Sequence, residues 1–206
     1  MDLLLDGTGL MALGHCPVLP TDNLPDVTGS LILVGPDEPA FWPIFAASDE
    51  KCDGHADPLD RWSKRVIGAI AGDIGGKAYF PSDGPPFLPF YTWALRTGRA
   101  WASPIGFLVH DSAGLWVSFR AAVWVPQTID NQPATQPCLT CSAPCKSACP
   151  VGAFDSGYDV SACKTHINGP DTASCMDAGC AARRSCPVGQ GRRLPVQARF
   201  HMEAFQ

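Results

Sequence analysis

The chain has 206 residues, of which 46% are hydrophobic and 17% charged, and its formal net charge at pH 7 is −5. This composition favours a folded protein over a disordered one, and the acidic balance argues against a nucleic-acid-binding domain, which normally carries a strong basic excess on one face. No stretch approaches the roughly 20 uninterrupted apolar residues of a membrane span.

The first residues, MDLLLDGTGLMALG, do not have the pattern of an export signal. Acidic residues stand where a signal peptide carries lysine or arginine, and Asp6 and Gly7 interrupt the apolar run. We therefore expect a cytoplasmic protein, in which cysteines bind metals more often than they form disulfides. A disulfide framework is the alternative for the ten cysteines of the chain.

The next segments predict short strands and helices. The apolar run SLILVG at 30–35 is typical of a buried strand, and DEPAFWPIFAAS after it predicts a short helix. Another helix is predicted to begin at Pro58, with Asp57 as its N-cap. Its buried face is formed by residues at helical spacing: Leu59, Trp62, Val66, Ile67 and Ile70.

One more helix and two more strands complete this part. The segment PFLPFYTWALRTGRA at 86–100 predicts a helix that ends near Gly98. The segments IGFLVH and GLWVSFRAAVWV, joined by DSA, predict two strands in a hairpin-like connection. Strands mixed with helices in this way indicate an α+β domain, and the segment has no nucleotide-binding or hydrolase motif.

The composition changes near the polar, proline-containing stretch TIDNQPATQP, which resembles a linker. All six tryptophans precede this stretch and eight of the ten cysteines follow it. The net charge is −7 for residues 1–137 and +2 for residues 138–206. We therefore predict two domains, at residues 1–130 and 131–206.

The segment from 138 to 190 is poor in apolar residues. It contains only seven Leu, Ile, Val, Phe or Met, too few to offset the entropy of ordering it, so we expect bound metal to hold it together. Its first four cysteines, in the pattern C-x2-C-x3-C-x3-C-P, are Cys138, Cys141, Cys145 and Cys149. Apart from one extra residue in the second gap, this is the bacterial [4Fe–4S] run. Zinc, which more often uses two separated C-x2-C pairs, is the alternative.

A second set of four cysteines follows, at Cys163, Cys175, Cys180 and Cys186. The CPVG at 186–189 repeats the CPVG at 149–152, which indicates an internal duplication. In two-cluster proteins the fourth cysteine of the run binds the other cluster. We therefore predict two [4Fe–4S] clusters. The first lies on Cys138, Cys141, Cys145 and Cys186, and the second on Cys149, Cys163, Cys175 and Cys180.

This order of cysteines, over residues 138–190, resembles the tail of epoxyqueuosine reductases and reductive dehalogenases. In both families one cysteine precedes the last three by a longer insertion. Those families place two clusters beside a corrinoid and pass electrons to it. The resemblance implies a dicluster ferredoxin-like module, together with an upstream electron donor such as a reductase or a ferredoxin.

The N-terminal part is similar to the CblC-type cobalamin-processing proteins. Four blocks occur in the same order between about residues 20 and 126: LPTDNLPDVTGSLILVGPDEPAFWPIFAAS, DPLDRWSKRVIGAI, RTGRAWAS and IGFLVHDSAGLWVSFRAAVWVP. The resemblance implies a flavin-reductase or nitroreductase-like α+β fold that binds cobalamin base-off and removes its upper ligand. That family carries a basic residue where this chain has Asp111 or Ser112. This departure argues against the use of glutathione.

A corrin ring needs apolar walls and a few polar anchors. The candidate contacts for cobalamin are Tyr91, Trp93, Trp101, Ser103, His110 and Arg120. Structural alternatives exist for several of them. Tyr91 and Trp93 lie in an apolar helix and His110 ends a strand, positions typical of core residues. Arg120 either binds a cofactor amide or phosphate or pairs with an acidic side chain.

Together these features predict an iron–sulfur redox protein that binds cobalamin and passes electrons to it from two clusters. Such a protein is a cobalamin reductase or processing oxidoreductase. One alternative is a corrinoid-dependent reductase that acts on an organic substrate. Another is a plain dicluster electron carrier whose N-terminal domain is a docking scaffold or binds flavin.

Overall fold

The computed structural model describes residues 2–26, 28–130, 133–170 and 173–206, and it shows a mixed α+β fold with antiparallel strands. The chain divides into two compact units. The first unit comprises residues 1–99 and 118–134, and the second comprises residues 100–117 and 135–206. The predicted boundary at residue 130 differs from this division in one respect, because residues 100–117 pack with the cysteine-rich segment.

The described strands are β1 (Leu10–Pro17), β2 (Ser30–Pro36), β3 (Lys77–Tyr79), β4 (Ala100–Ala102), β5 (Leu108–His110) and β6 (Ala121–Val125). The described α-helices are α1 (Asp2–Leu5), α2 (Phe41–Ala46), α3 (Asp49–Cys52), α4 (Pro58–Asp73), α5 (Phe90–Arg96), α6 (Val160–Ile167), α7 (Ala173–Ala178), α8 (Ala181–Arg184) and α9 (Pro195–Phe205). Short 3-10 turns lie at Pro20–Asp22, Pro137–Thr140 and Pro144–Lys146.

An antiparallel sheet in the order β1-β2-β6-β3 forms the centre of the first unit. Every residue of β2 is buried, as the uninterrupted apolar run at 30–35 predicts for an interior strand. The predicted hairpin between IGFLVH and GLWVSFRAAVWV is wrong. The first segment forms β5, which pairs with β4, whereas β6 pairs with β2 and β3. A turn closes at Gly114, whose φ is +58°, and separates the two segments.

Helix α4 begins at Pro58 as predicted, but Asp57 makes no side-chain capping hydrogen bond because its backbone is left-handed, with φ 52°. Trp62 is buried on this helix and packs edge-on against Phe41, with ring centroids 5.4 Å apart. The predicted helix at 86–100 is shorter than expected and spans Phe90–Arg96. Prolines at positions 85, 86 and 89 delay its start, since proline cannot donate within a helix.

The second unit combines the antiparallel pair β4–β5 with helices α6 to α9. Its small core is made of apolar residues and cysteines: Ile105, Val109, Leu115, Cys145, Phe154, Ala182 and Cys186. Three of these residues come from the segment before the linker, so the cysteine-rich segment is packed against chain that lies well upstream of it. None of the described helices is long and apolar enough to cross a membrane.

Candidate functional site

The eight cysteines of the C-terminal segment all lie in the second unit, on turns and short helices. Cys138 and Cys145 stand in the two 3-10 turns, and Cys163 lies within α6. Cys175 lies in α7, and Cys180 caps the start of α8. Cys145, Cys175 and Cys186 are buried, the other five are partly buried, and all eight are free thiols. Such turns bring sequentially separated sulfurs into one region.

A first cysteine group consists of Cys138, Cys141, Cys145 and Cys186. Burial is the main cause that raises the pKa of the Cys138 thiol. The further causes are its neighbouring thiolates, namely Cys141, Cys145 and Cys186. Burial also raises the pKa of Cys145, and the next cause is Cys186. Cys186, which is 41 positions beyond Cys145, is therefore a close electrostatic neighbour of the first three cysteines.

A second cysteine group consists of Cys149, Cys163, Cys175 and Cys180. Burial raises the pKa of the Cys163 thiol, and a hydrogen bond from Tyr158 opposes this increase. The remaining causes that raise it are Cys180, Cys149 and Cys175, in that order. These causes link Cys138, Cys145 and Cys163 with other members of the two groups that the spacing predicts, and the two clusters themselves stay a prediction.

Backbone groups approach the sulfurs closely. The amide of Ala143 donates to Sγ of Cys141 at 3.4 Å, and the amide of Ala153 donates to Sγ of Cys149 at 3.4 Å. Ala143 adopts a left-handed conformation with φ 54°, unusual for a residue other than glycine. At Gly114 an added Cβ would lie 2.0 Å from the carbonyl oxygen of Val188 and 3.3 Å from Sγ of Cys186. Glycine is therefore required where the upstream segment meets the first cysteine group.

All eight candidate ligands are cysteine thiols. Within the described part of the chain, no group of three or more His, Cys, Asp or Glu side chains is arranged to hold one metal ion. A zinc site needs its four ligands around a single ion. In a [4Fe–4S] cluster each of four cysteines binds a different iron, so the four sulfurs stand farther apart. One thiol of each group, Cys141 in the first and Cys149 in the second, accepts a backbone amide hydrogen bond, and the iron–sulfur clusters stay a prediction.

Three of the predicted cobalamin contacts lie in the first unit. Trp93 is fully buried in α5 and its Nε1–H donates to Oδ1 of Asp22 at 2.9 Å. Arg120 donates from Nε to Oγ of Ser63 at 3.0 Å and pairs with Asp60. Of the two predicted alternatives for Arg120, the structure therefore shows the ion pair with an acidic side chain. Tyr91 is 44% exposed on α5.

The other three predicted contacts lie in the second unit. Trp101 on β4 is partly buried against the core of that unit. His110 is fully buried at the end of β5, and its Nδ1 accepts from the amide of Ser112 at 3.2 Å. Ser103 is buried, and its hydroxyl has no hydrogen-bond partner within the described residues. The six residues are therefore divided equally between the two units.

Sequence reasoning did not predict a buried polar network in the first unit. Asp22 accepts hydrogen bonds from Trp93, from Arg96 at 2.6 Å and from the amide of Leu19 at 2.8 Å. Burial opposes ionisation of Asp22, but these donors outweigh it and leave its pKa below the ordinary value. Burial lowers the pKa of Arg96, but the hydrogen bonds with Asp22 and Cys16 outweigh burial and leave this pKa above its ordinary value. No local sequence pattern predicts the hydrogen bond between Asp22 and Arg96, which are 74 positions apart.

Sequence reasoning also missed the shifted pKa values of Tyr158 and Arg183. Burial raises the pKa of Tyr158, and the next cause is Cys163; burial lowers the pKa of Arg183, and Cys180 opposes this decrease. The one available signal was the RR pair at 183–184, which carries positive charge next to Cys180 and Cys186.

No protein-family model matches this chain, and a search of curated proteins finds no significant match.

Proposed function

We propose that this chain is an iron–sulfur redox protein that carries a [4Fe–4S] cluster on each cysteine group and delivers electrons to a cobalamin. The observation that supports the first part is the division of eight cysteines into two sets of four. Each set combines sulfurs from the C-x2-C-x3-C-x3-C run with sulfurs from the helical segment after it. This exchange of ligands is the arrangement of two-cluster ferredoxins.

When bound, the two clusters supply one-electron transfer, with potentials set by charge, hydrogen bonds and solvent exposure. The residues of the chain have distinct tasks in this proposal. The eight thiolates hold iron, while the amides of Ala143 and Ala153 donate to two of the sulfurs and stabilise their negative charge. Burial of Cys145, Cys175 and Cys186 keeps water away from the ligands. The second unit then corresponds to a dicluster ferredoxin-like module.

The proposed acceptor rests on the two resemblances, which both imply a corrinoid. In this proposal the first unit is a flavin-reductase-like domain that binds cobalamin and promotes removal of its upper ligand. Trp93, His110 and Arg120 already have partners within the protein. Among the predicted contacts Tyr91 is the most exposed ring, so we expect it to contribute more to cobalamin binding than these three.

The first experiment is anaerobic reconstitution of the full chain with iron and sulfide. We expect about eight irons and eight acid-labile sulfides per chain, because two cubane clusters contain that number. The matched control is Cys52→Ser, since Cys52 is exposed and lies outside both groups. This variant should keep the full iron content. Cys141→Ser should lose iron from the first group.

Cob(II)alamin is then added to the reconstituted protein, and the cobalt signal is recorded by electron paramagnetic resonance. A change to the base-off signal supports the proposed acceptor. An unchanged cobalt signal with eight irons present leaves the plain electron carrier, and a yellow protein that releases flavin indicates the flavin-binding alternative. Turnover of a halogenated or nucleoside substrate favours the organic-substrate reductase. A wild-type chain that takes up no iron contradicts the whole proposal.

A further inference from the structure

An open cavity lies in the first unit, beside the start of β1. Its volume is about 600 Å³, within the range of about 300–1,000 Å³ that is usual for small-molecule sites. Its apolar wall comes from the ends of α1 and β1 and from the region of α2. The apolar residues of this wall are Leu5, Leu10, Met11, Ala12, Ala40 and Ile44. The cavity is therefore large enough, and apolar enough, for an organic ligand.

The turn between α1 and β1 borders this cavity and is built on two glycines. Gly7 and Gly9 have φ of +71° and +73°, a conformation that glycine adopts without strain. At Gly9 an added Cβ would lie 2.7 Å from Cα of Phe41, so glycine is required where β1 approaches α2. The amide of Asp37 donates to the carbonyl oxygen of Gly9 at 2.8 Å. At Gly7 an added Cβ would meet nothing within 4 Å, so this side of the turn faces open space.

The outer edge of β1 runs along the cavity. Leu10, Met11 and Ala12 are consecutive residues, and all three line it. Because side chains alternate between the two faces of a strand, consecutive residues line one cavity most readily along the edge of the strand. β1 stands first in the sheet order, and of the described strands it pairs with β2 alone. The cavity therefore lies at the border of the sheet, where a ligand can enter.

The polar part of the cavity is acidic. Asp6 and Asp37 both line it, and the lining residues that the structure describes include no lysine, arginine or histidine. Opposite charges favour binding and like charges oppose it. The charge of the lining therefore disfavours a phosphate-bearing ligand such as a nucleotide and favours a cation.

We infer that this cavity is a binding site for a small organic cation, with an ammonium group at Asp6 and Asp37 and an apolar body against Leu5 and Ile44. The inference goes beyond the proposed function and does not rest on it. The lining residues, as far as the structure describes them, include neither a cysteine nor a predicted cobalamin contact. The apolar wall contributes affinity by burying the hydrocarbon part of the ligand, and the two carboxylates select its charge.

The test is isothermal titration calorimetry of the full chain at low ionic strength, with octylammonium as the probe. Octanoate and octanol, which have the same chain length, are titrated in the same way. We expect octylammonium to saturate one site per chain and to bind at least about tenfold more tightly than octanoate, because the anion is repelled. The affinity of the uncharged octanol should lie between the two.

Three variants locate the site. Asp6→Asn and Asp37→Asn keep the size of the side chain and remove one charge each, so each should weaken octylammonium binding by about threefold and leave octanol binding unchanged. Ala40→Trp places a large side chain at an exposed position of the cavity wall and should abolish binding of both probes. Asp73→Asn is the matched control, because Asp73 is exposed at the end of α4 and does not line the cavity.

Octanoate binding as tight as that of octylammonium overturns the inference, and so does wild-type affinity in all three cavity variants. A wild-type chain that does not bind octylammonium overturns it as well. Circular dichroism checks the fold of each variant, and Asp6→Asn decides the outcome if Ala40→Trp does not fold. Iron content is independent of all these results, so the proposed function is judged separately by reconstitution.

Discussion

The two units of this chain are stabilised by different kinds of residues. In the first unit, β2 is buried along its whole length, and Trp62, Phe41 and Phe45 form an aromatic cluster. The second unit has a core in which two cysteines stand among the apolar side chains. Burial of large apolar side chains is worth about 1.5–3 kcal/mol each, and in the first unit such burial is the main source of stabilisation. The second unit has far fewer such residues.

The second unit compensates in two ways. It takes Ile105, Val109 and Leu115 from the segment before the linker. It also concentrates eight thiols, which in the proposed function bind metal and thereby contribute folding free energy. The comparison teaches that a cysteine-rich segment need not be an independent domain, because its apolar core is completed by residues that are distant in sequence.

Removal of iron should have the largest effect and should act on one unit. We expect the iron-free chain to lose amide protection in helices α6 to α9, because the thiols then repel or separate instead of being joined. Strand β2 and helix α4 should keep their protection. Hydrogen exchange followed by mass spectrometry, on iron-loaded and iron-free protein, measures both. If helices α6 to α9 were equally protected in the iron-loaded and the iron-free protein, the expected difference in iron dependence between the two units would be contradicted.

Trp62→Ala should have the next largest effect, within the first unit. Trp62 is 2% exposed, and a buried tryptophan replaced by alanine costs about 3–5 kcal/mol of the free energy of unfolding. Urea denaturation followed by circular dichroism measures this loss. Phe87→Ala is the control, because Phe87 is 69% exposed and its loss should cost less than about 0.5 kcal/mol. Iron content should be normal in both variants, since the eight cysteines lie in the other unit.

Gly114→Ala should weaken the packing of the upstream segment on the first cysteine group. Its matched control is Gly106→Ala. Both glycines have positive φ, so both substitutions cost about 1–2 kcal/mol in backbone strain. The added Cβ clashes with Val188 at position 114 but meets nothing within 4 Å at position 106. We expect faster iron loss to a chelator in Gly114→Ala alone. Equal rates would show that the contact at Gly114 contributes nothing to the second unit.

The smallest effect concerns acid sensitivity of the first unit. Hydrogen bonds from Arg65 are the main cause that holds the pKa of Glu50 at about 2, below its ordinary value of 4.5. Because the folded-state pKa is depressed, the stabilisation is fully present above the unfolded pKa and is lost as pH falls through the folded pKa. Glu50→Gln should therefore be less stable than wild type at about pH 7 and equal to it below about pH 2.

Urea midpoints measured across this range for wild type and Glu50→Gln provide the comparison. Asp49→Asn is the control, because Asp49 is exposed beside Glu50 in α3. A difference between wild type and Glu50→Gln that stays constant down to the lowest pH would contradict the role of this ion pair.

The sequence predicted some elements well because their signals are local. The apolar run at 30–35 indicated a buried strand, and the Asp57–Pro58 pair marked the start of α4. The spacing of the cysteines, together with the repeated CPVG, predicts two ligand sets, and these stay a prediction. Strand β1 was not predicted, since LMALGHCP has neither strict alternation nor an unbroken apolar run.

Other features depend on partners far along the chain. The sequence placed a strand in the segment that forms β6, but pairing with β2 and β3 instead of β5 follows from which apolar faces can be buried together. Likewise, the sequence favoured a core position for Trp93 and left ligand binding and an ion pair equally open for Arg120. Only the tertiary structure shows that Trp93 donates a hydrogen bond to Asp22 and that Arg120 forms an ion pair with Asp60.

The sequence by itself determined the α+β class and the two divisions of charge and composition, and it predicted the two sets of four cysteines. These properties follow from residue types and short spacings, which are the same in any conformation. Tertiary structure alone decided that residues 100–117 pack with the cysteine-rich segment and that Phe107 packs edge-on against Phe154 and Tyr158. Those contacts join residues that are distant in sequence, so they arise only when the surrounding apolar surfaces are buried.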